Sequence, residues 1–177
     1  MLKGVSLYLV GMMGSGKSTV GRLLAEKLGY GFVDLDALIE QVSGKRVGEI
    51  FEREGEAVFR DLESRVLAEV SAYTRLVVAT GGGVVLARRN WGYLHHGVVV
   101  WLDADIETLL GRVEHEPGTR PLLAGGDRHL RLVELLGERA RLYAQADVRV
   151  SAAGLPPAVA EETLRCLAAR LAEDSAP

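Results

Sequence analysis

The 177-residue chain carries 21 Lys and Arg against 24 Asp and Glu, a formal net charge of −3 at pH 7, which excludes a nucleic-acid partner held by a global positive field. Its length suits a single domain over 1–177, with one full core and no room for a second. Cys166 is the only cysteine, so an intrachain disulfide and a Cys-rich metal site are excluded, and no apolar run has the length of a membrane span or the layout of a signal peptide; a cytoplasmic protein without a membrane partner is expected.

The apolar run Val5 to Val10 predicts a strand, and it leads into Gly11-Met12-Met13-Gly14-Ser15-Gly16-Lys17-Ser18, which fits G-x-x-x-x-G-K-[ST] at every fixed position. Thr19 to Leu28 follows with apolar residues at Val20, Leu23, Leu24 and Leu28, an amphipathic helix. A strand, a glycine-rich loop and a helix N-terminus in that order form a phosphate cradle. The glycines let backbone N–H groups turn toward one anion, where the helix dipole already favours negative charge. Gly14, Ser15, Gly16, Lys17, Ser18 and Thr19 are the candidate nucleotide ligands: Lys17 reaches the β- and γ-phosphates, and the Ser18 hydroxyl ligates Mg²⁺.

After a turn at Gly29 to Gly31, Phe32-Val33 reads as a short strand running into Asp34-Leu35-Asp36. In extended backbone residues i and i+2 point the same way, so both carboxylates can face the phosphates; capping a helix over Ala37 to Val42 is the competing explanation for Asp36. A short helical piece starts at Val47, and a longer helix covers about Glu56 to Tyr73, with Val58, Leu62, Val66 and Leu67 in its apolar register. Arg60 near its start reads locally as an exposed charge paired with Asp61 or Glu63. Leu76 to Ala79 is a buried strand ending in Thr80-Gly81-Gly82-Gly83, and three consecutive glycines there point to a place where backbone must approach a ligand closely.

A helix around Leu86 to His95 leads to the strand Val98 to Asp103. Asp103 has the position of a metal-binding acid at a strand end, but Asp103-Ala104-Asp105 directly precedes a helix from Ile106, and capping explains these acids. Residues 114–127 lack any helical or strand period and form a candidate lid that carries Arg120, which reads locally as a solvated arginine or as a group closing over transferring phosphate. Arg128 to Ala146 is a long helix with Leu132, Leu135, Leu136 and Leu142 toward the core and Arg139 on another face. Asp147 to Val150 is the last strand, and a closing amphipathic helix starts at Pro156. Strands alternating with helices predict an α/β, three-layer sandwich of the P-loop NTPase type, around a parallel sheet of about five strands with a flexible lid. The four histidines show no metal-ligand spacing and read as solvated. An Asn-Lys-x-Asp guanine-binding element is absent, Asn90 being the sole asparagine. That favours ATP, and the short chain favours a kinase for a small acceptor.

Taken together in order, Gly11 to Thr19, Asp34-Leu35-Asp36, Ile50-Phe51 with Phe59-Arg60, Gly81 to Gly83, Arg120-Pro121-Leu122-Leu123, and Glu138-Arg139 with Leu142-Tyr143 resemble the shikimate kinase family. The resemblance implies transfer of the ATP γ-phosphoryl group to the 3-hydroxyl of shikimate, on the route to chorismate. It implies that Asp36 holds the ring hydroxyls and is the candidate base, and that Asp34, with Ser18, serves Mg²⁺. Arg60 and Arg139 would bind the substrate carboxylate, with Gly81, Gly82 and Gly83 presenting N–H groups, in an acceptor region over 34–63. Arg120 would bind the phosphates and Arg112 would lie beside the adenine. Glu63 resembles an acid that holds Arg60. Two departures stand out: Ser151 to Gly154 lacks a basic residue common near the adenine, and Ala140-Arg141 replaces an apolar-Pro step. A kinase for another polyol acid such as gluconate, and a non-catalytic nucleotide-binding module, are the alternative readings. A monomer is expected.

Overall fold

The computed structural model describes residues 2–115, 121–123 and 126–173. Five parallel strands, β1 (Leu7–Val10), β2 (Gly31–Asp34), β3 (Leu76–Ala79), β4 (Val98–Asp103) and β5 (Val148–Ser151), lie in the order β2-β3-β1-β4-β5. Every residue of β1 is buried, as are Val77 to Ala79 and Val99 to Leu102. Burial of both residue parities means that helices cover both faces of these strands, which is why they read as unbroken apolar runs. At the edge, β5 alternates instead: Val148 and Val150 are buried while Arg149 and Ser151 are exposed.

The helices are α1 (Lys17–Leu28), α2 (Leu35–Ser43), α3 (Val47–Arg53), α4 (Glu56–Ser71), α5 (Arg88–Leu94), α6 (Ile106–His115), α7 (Arg128–Tyr143) and α8 (Pro156–Glu173). α1 packs on α8 and against β2 and β3, while α4 gathers α2, α3 and α5, and α6 lies on α7. Since β1 sits at the centre of the sheet, between β3 and β4, its C-terminal end opens where the strand order changes direction. That is the crevice in which α/β folds place ligands.

Several local expectations need correction. Asp36 does not cap α2: Asp34 does, its Oδ1 accepting from the Ala37 N–H at 3.2 Å, and Asp36 lies inside the first turn. Asp34 and Asp36 therefore do not share one extended strand. Val58 is exposed, and Phe59 takes the buried position instead. Leu86 belongs to a 3-10 turn over Val84–Leu86, separated from α5 by the extended Ala87. Most consequential is Arg139, which is 2% exposed. It stands on the same inward stripe as Leu132, Leu135 and Tyr143, three or four residues apart along α7. Asp105 caps the start of α6 through the Thr108 N–H at 2.7 Å, and Asp103 pairs with Arg149 at 2.6 Å.

Candidate active site

The loop after β1 needs its glycines. Gly11, Gly14 and Gly16 have φ of 142°, 78° and 88°, the region open to residues without a side chain. A Cβ on Gly14 would also come within 3.0 Å of the Leu109 carbonyl of α6. Helix α1 starts at Lys17 with no side-chain cap and no acid in its first turn. Its N–H groups are thus available to an external anion. The Lys17 ammonium is buried over this loop and donates to the carbonyls of Gly11 at 2.9 Å and Met12 at 2.8 Å. Ser18, one residue on, donates its hydroxyl to Asp34 Oδ2 at 2.5 Å. The hydroxyl and the carboxylate of the expected metal pair therefore stand together, and a hydroxyl beside a carboxylate is a donor set that fits Mg²⁺, which keeps several of its waters. Lys17, Ser18, Thr19, Asp34, Asp36 and Thr80 line a cavity of about 290 Å³ with the loop.

A second cavity of about 310 Å³ lies beside it and shares Met13, Asp34, Asp36, Gly81 and Gly82 as a common wall. Its far side is made by Arg60, Glu63, Gly83 and Arg139, with Phe51, Phe59, Val47 and Leu122 as apolar surface. The Phe51 and Phe59 rings are 4.7 Å apart, and the Arg60 guanidinium lies 5.1 Å from the Phe59 ring centre. Arg60 does not pair with Asp61. Its Nη1 donates to Glu63 Oε2 at 2.8 Å and its Nη2 to Glu56 Oε1 at 3.2 Å, while Asp61 pairs with Arg89.

Glu63 is fully buried, and burial pushes its carboxyl above the ordinary range, with Asp36 adding to the rise while Arg60 and Arg139 oppose it. Arg139 is buried with Nε and Nη1 lacking hydrogen-bond partners among the described residues. Buried guanidinium N–H groups facing a cavity call for an acceptor, and a carboxylate matches their fork. Its neighbour Tyr143 donates its hydroxyl to the Gly82 carbonyl at 2.5 Å and lies 3.6 Å from Met12 Sδ. Burial raises the Tyr143 phenol to about 12, so the group acts as a fixed donor at physiological pH. The Tyr143 ring centre is 5.9 Å from that of Trp101 on β4.

The three glycines are explained by side chains. None has a positive φ. A Cβ on Gly81 would come within 2.6 Å of Glu63 Oε1 and 3.1 Å of Asp36 Oδ1, one on Gly82 within 3.5 Å of Arg139 Nη1, and one on Gly83 would overlap the Arg60 guanidinium. The glycine tract is the surface against which all four charged groups pack.

On the other side of the phosphate loop, a third cavity of about 540 Å³ is lined by Ser15, Gly16, Thr19, Arg112 and the tract Ala152 to Pro156. Arg112 ties the loop to that tract, donating to Gly14 O at 3.3 Å, Ala152 O at 2.7 Å and Gly154 O at 3.3 Å. Arg120 lies outside the described residues, as do 116–120 and 124–125 of the expected lid. Tyr143 is the group that sequence spacing alone leaves unassigned; its position four residues after Arg139 is the available signal. Among the described residues no cluster of three or more His, Cys, Asp or Glu is arranged around a metal position, and no helix is long and apolar enough to cross a membrane.

A family model described as shikimate kinase matches residues 13–168. A shikimate kinase of Synechococcus sp. (strain JA-3-3Ab) is 53% identical over 96% of this chain and 91% of its own length. Among solved structures, shikimate kinase from Acinetobacter baumannii in complex with shikimate superposes with a TM-score of 0.90 at 39% identity, covering 93% of each chain. Shikimate kinase from Bacteroides thetaiotaomicron does so with a TM-score of 0.86 at 34% identity, covering 93% of this chain and 98% of that one.

Proposed function

The chain belongs to the shikimate kinase family, and on that premise we propose that it transfers the γ-phosphoryl group of ATP to the 3-hydroxyl of shikimate, giving shikimate 3-phosphate and ADP on the route to chorismate. The observation that carries the reading is the wall shared by two cavities. One holds the phosphate loop with Lys17 and Ser18, the other holds Arg60 and Arg139, and Asp36 faces both. An acceptor with a carboxylate at one end and a hydroxyl at the other spans the second cavity so that its hydroxyl meets the first.

Arg60 and Arg139 bind the shikimate carboxylate, with backbone N–H groups of Gly81 to Gly83 beside them. Phe51, Phe59 and Val47 cover the ring's apolar edge. In the transfer, the 3-hydroxyl oxygen forms a bond to the γ-phosphorus as the bond from that phosphorus to the bridging oxygen of ADP breaks. Asp36 orients the hydroxyl and accepts its proton late in the step. Lys17, the loop N–H groups and Arg120 neutralise the charge that gathers on the phosphoryl and leaving oxygens. Ser18 and Asp34 would hold Mg²⁺, which would supply further charge neutralisation on the phosphates. Arg112 lies at the base, and residues 114–127 close over the reactants to exclude water that would hydrolyse ATP. The protein works as a cytoplasmic monomer.

The test is ADP formation with ATP and Mg²⁺, with shikimate and with gluconate as control. Dependence on shikimate alone is expected, and equal stimulation by gluconate would overturn the substrate assignment. Asp36→Asn should lower kcat by about 10²–10⁴-fold with ATP binding retained. Near-normal turnover in that variant would remove Asp36 from the reaction.

A further inference from the structure

Tyr143 takes no part in the phosphoryl transfer, yet it lies fully buried where the glycine tract, the phosphate loop and the clamp meet. Its hydroxyl donates to the Gly82 carbonyl at 2.5 Å, lies 3.6 Å from Met12 Sδ, and stands beside the Arg139 guanidinium, which acts on it as a charge and as a hydrogen-bond partner. The bond to Gly82 answers a weakness of the glycine tract. A Cβ on Gly83 would overlap the Arg60 guanidinium, so only glycine fits there. Glycine at that position leaves the Gly82–Gly83 peptide free to turn over. Turning carries φ of Gly83 from −96° to the positive side, which residues with a side chain resist and glycine takes about as readily.

The direction of this peptide has a chemical consequence, because the carbonyl oxygen and the N–H of a trans peptide point opposite ways. The Gly82 carbonyl is aimed at Tyr143, which is not among the described residues lining the acceptor cavity. The Gly83 N–H is therefore turned to the opposite side, where Gly81 to Gly83 line that cavity with Arg60 and Arg139. Turned over, the same peptide would present its carbonyl oxygen there and repel an anion. We propose that Tyr143 is a positioning residue for the acceptor, its hydroxyl locking the Gly82–Gly83 peptide with the N–H toward the acceptor carboxylate. The inference rests on the kinase reading above. Arg60 dictates glycine at position 83, and Tyr143 removes the freedom that this glycine brings. The lock holds because the phenol, raised to about 12, keeps its proton, and because a buried carbonyl deprived of its donor is costly.

Tyr143→Phe removes the hydroxyl and keeps the ring beside Trp101. KM for shikimate should rise about tenfold or more, the effect of one hydrogen bond to a charged group, with kcat and KM for ATP little changed. A crystal structure of this variant without ligand should show the Gly82 carbonyl turned from its present direction or divided between two. A carbonyl left in place, or an unchanged shikimate KM, overturns the proposal. A side chain that served packing alone would lower the melting temperature and leave that KM where it is. The unaltered protein supplies a check that needs no variant. With the heavy nitrogen isotope in its glycines, the Gly83 N–H resonance should move downfield as shikimate saturates the protein, and an unmoved resonance overturns the proposal. If shikimate neither binds nor stimulates ADP formation, the kinase reading is what has failed. The direction of the Gly82 carbonyl in the two ligand-free proteins then decides by itself whether Tyr143 is the lock.

Discussion

Arg139 owes its proposed role to burial as much as to charge. A guanidinium that is 2% exposed, with two N–H positions unpartnered among the described residues, is already desolvated, so an arriving carboxylate meets a prepared fork. Arg139→Lys keeps the charge and loses the fork, and KM for shikimate should rise about 10–100-fold, the worth of one charged hydrogen bond, with KM for ATP unchanged. Steady-state kinetics with each substrate varied in turn checks this, and an unchanged shikimate KM would remove Arg139 from the clamp. Glu63 gives a pH prediction. Burial, aided by Asp36, holds its carboxyl above the ordinary value of 4.5. On taking up a proton it no longer holds Arg60, so kcat/KM for shikimate should fall as pH drops through that raised value, above the range of an ordinary carboxylic acid. In Glu63→Gln the limb at that raised value should vanish, with kcat/KM lower above it. A pH profile identical in both proteins would dissociate Glu63 from acceptor binding.

At the scale of elements, the glycine tract and the helix caps separate function from stability. Gly83 has φ −96° and ψ 2°, which alanine adopts without strain, yet its Cβ would fall on the Arg60 guanidinium. Gly83→Ala should therefore raise KM for shikimate about tenfold or more while leaving the melting temperature within a few degrees; a normal KM would mean that Arg60 moves aside at no cost. Asp127→Ala should behave oppositely. Asp127 caps α7 through the His129 and Leu130 N–H groups, so its loss costs about 1 kcal/mol and lowers the melting temperature by about 2–4 °C, with KM for shikimate unchanged. The same elements mark where sequence periodicity reaches its limit. β1, β3 and β4 are legible because buried parallel strands are apolar throughout, and the loop Gly11 to Ser18 is legible because its chemistry demands fixed positions. Arg139 reads as facing away from the core, because a search for apolar stripes treats a buried arginine as surface. Asp34 and Asp36 read as strand neighbours because nothing local says that α2 begins at Leu35. The glycines at 81–83 signal close approach, but which groups approach is decided by α2, α4 and α7, far away in sequence.

Across the whole molecule, each proposed role falls on one chain and, for the described residues, around the C-terminal ends of the central strands. Turnover per chain should accordingly be independent of dilution, and sedimentation should show the active species to be a single chain. Activity lost on dilution in step with dissociation of a dimer would overturn the monomer. Helix α7 runs past this centre, carrying Arg139 and, one turn later, Tyr143 beside Trp101. That pairing has an optical consequence. Excitation absorbed by the phenol passes to the indole at such close range, and the Tyr143 ring is part of the surroundings of the Trp101 indole, so Trp101 emission should respond to a shift of the helix that carries the clamp. With Trp91→Phe isolating the signal, arrival of the acceptor should be readable in the protein's own ultraviolet light, without a dye, a coupled enzyme or a turnover event.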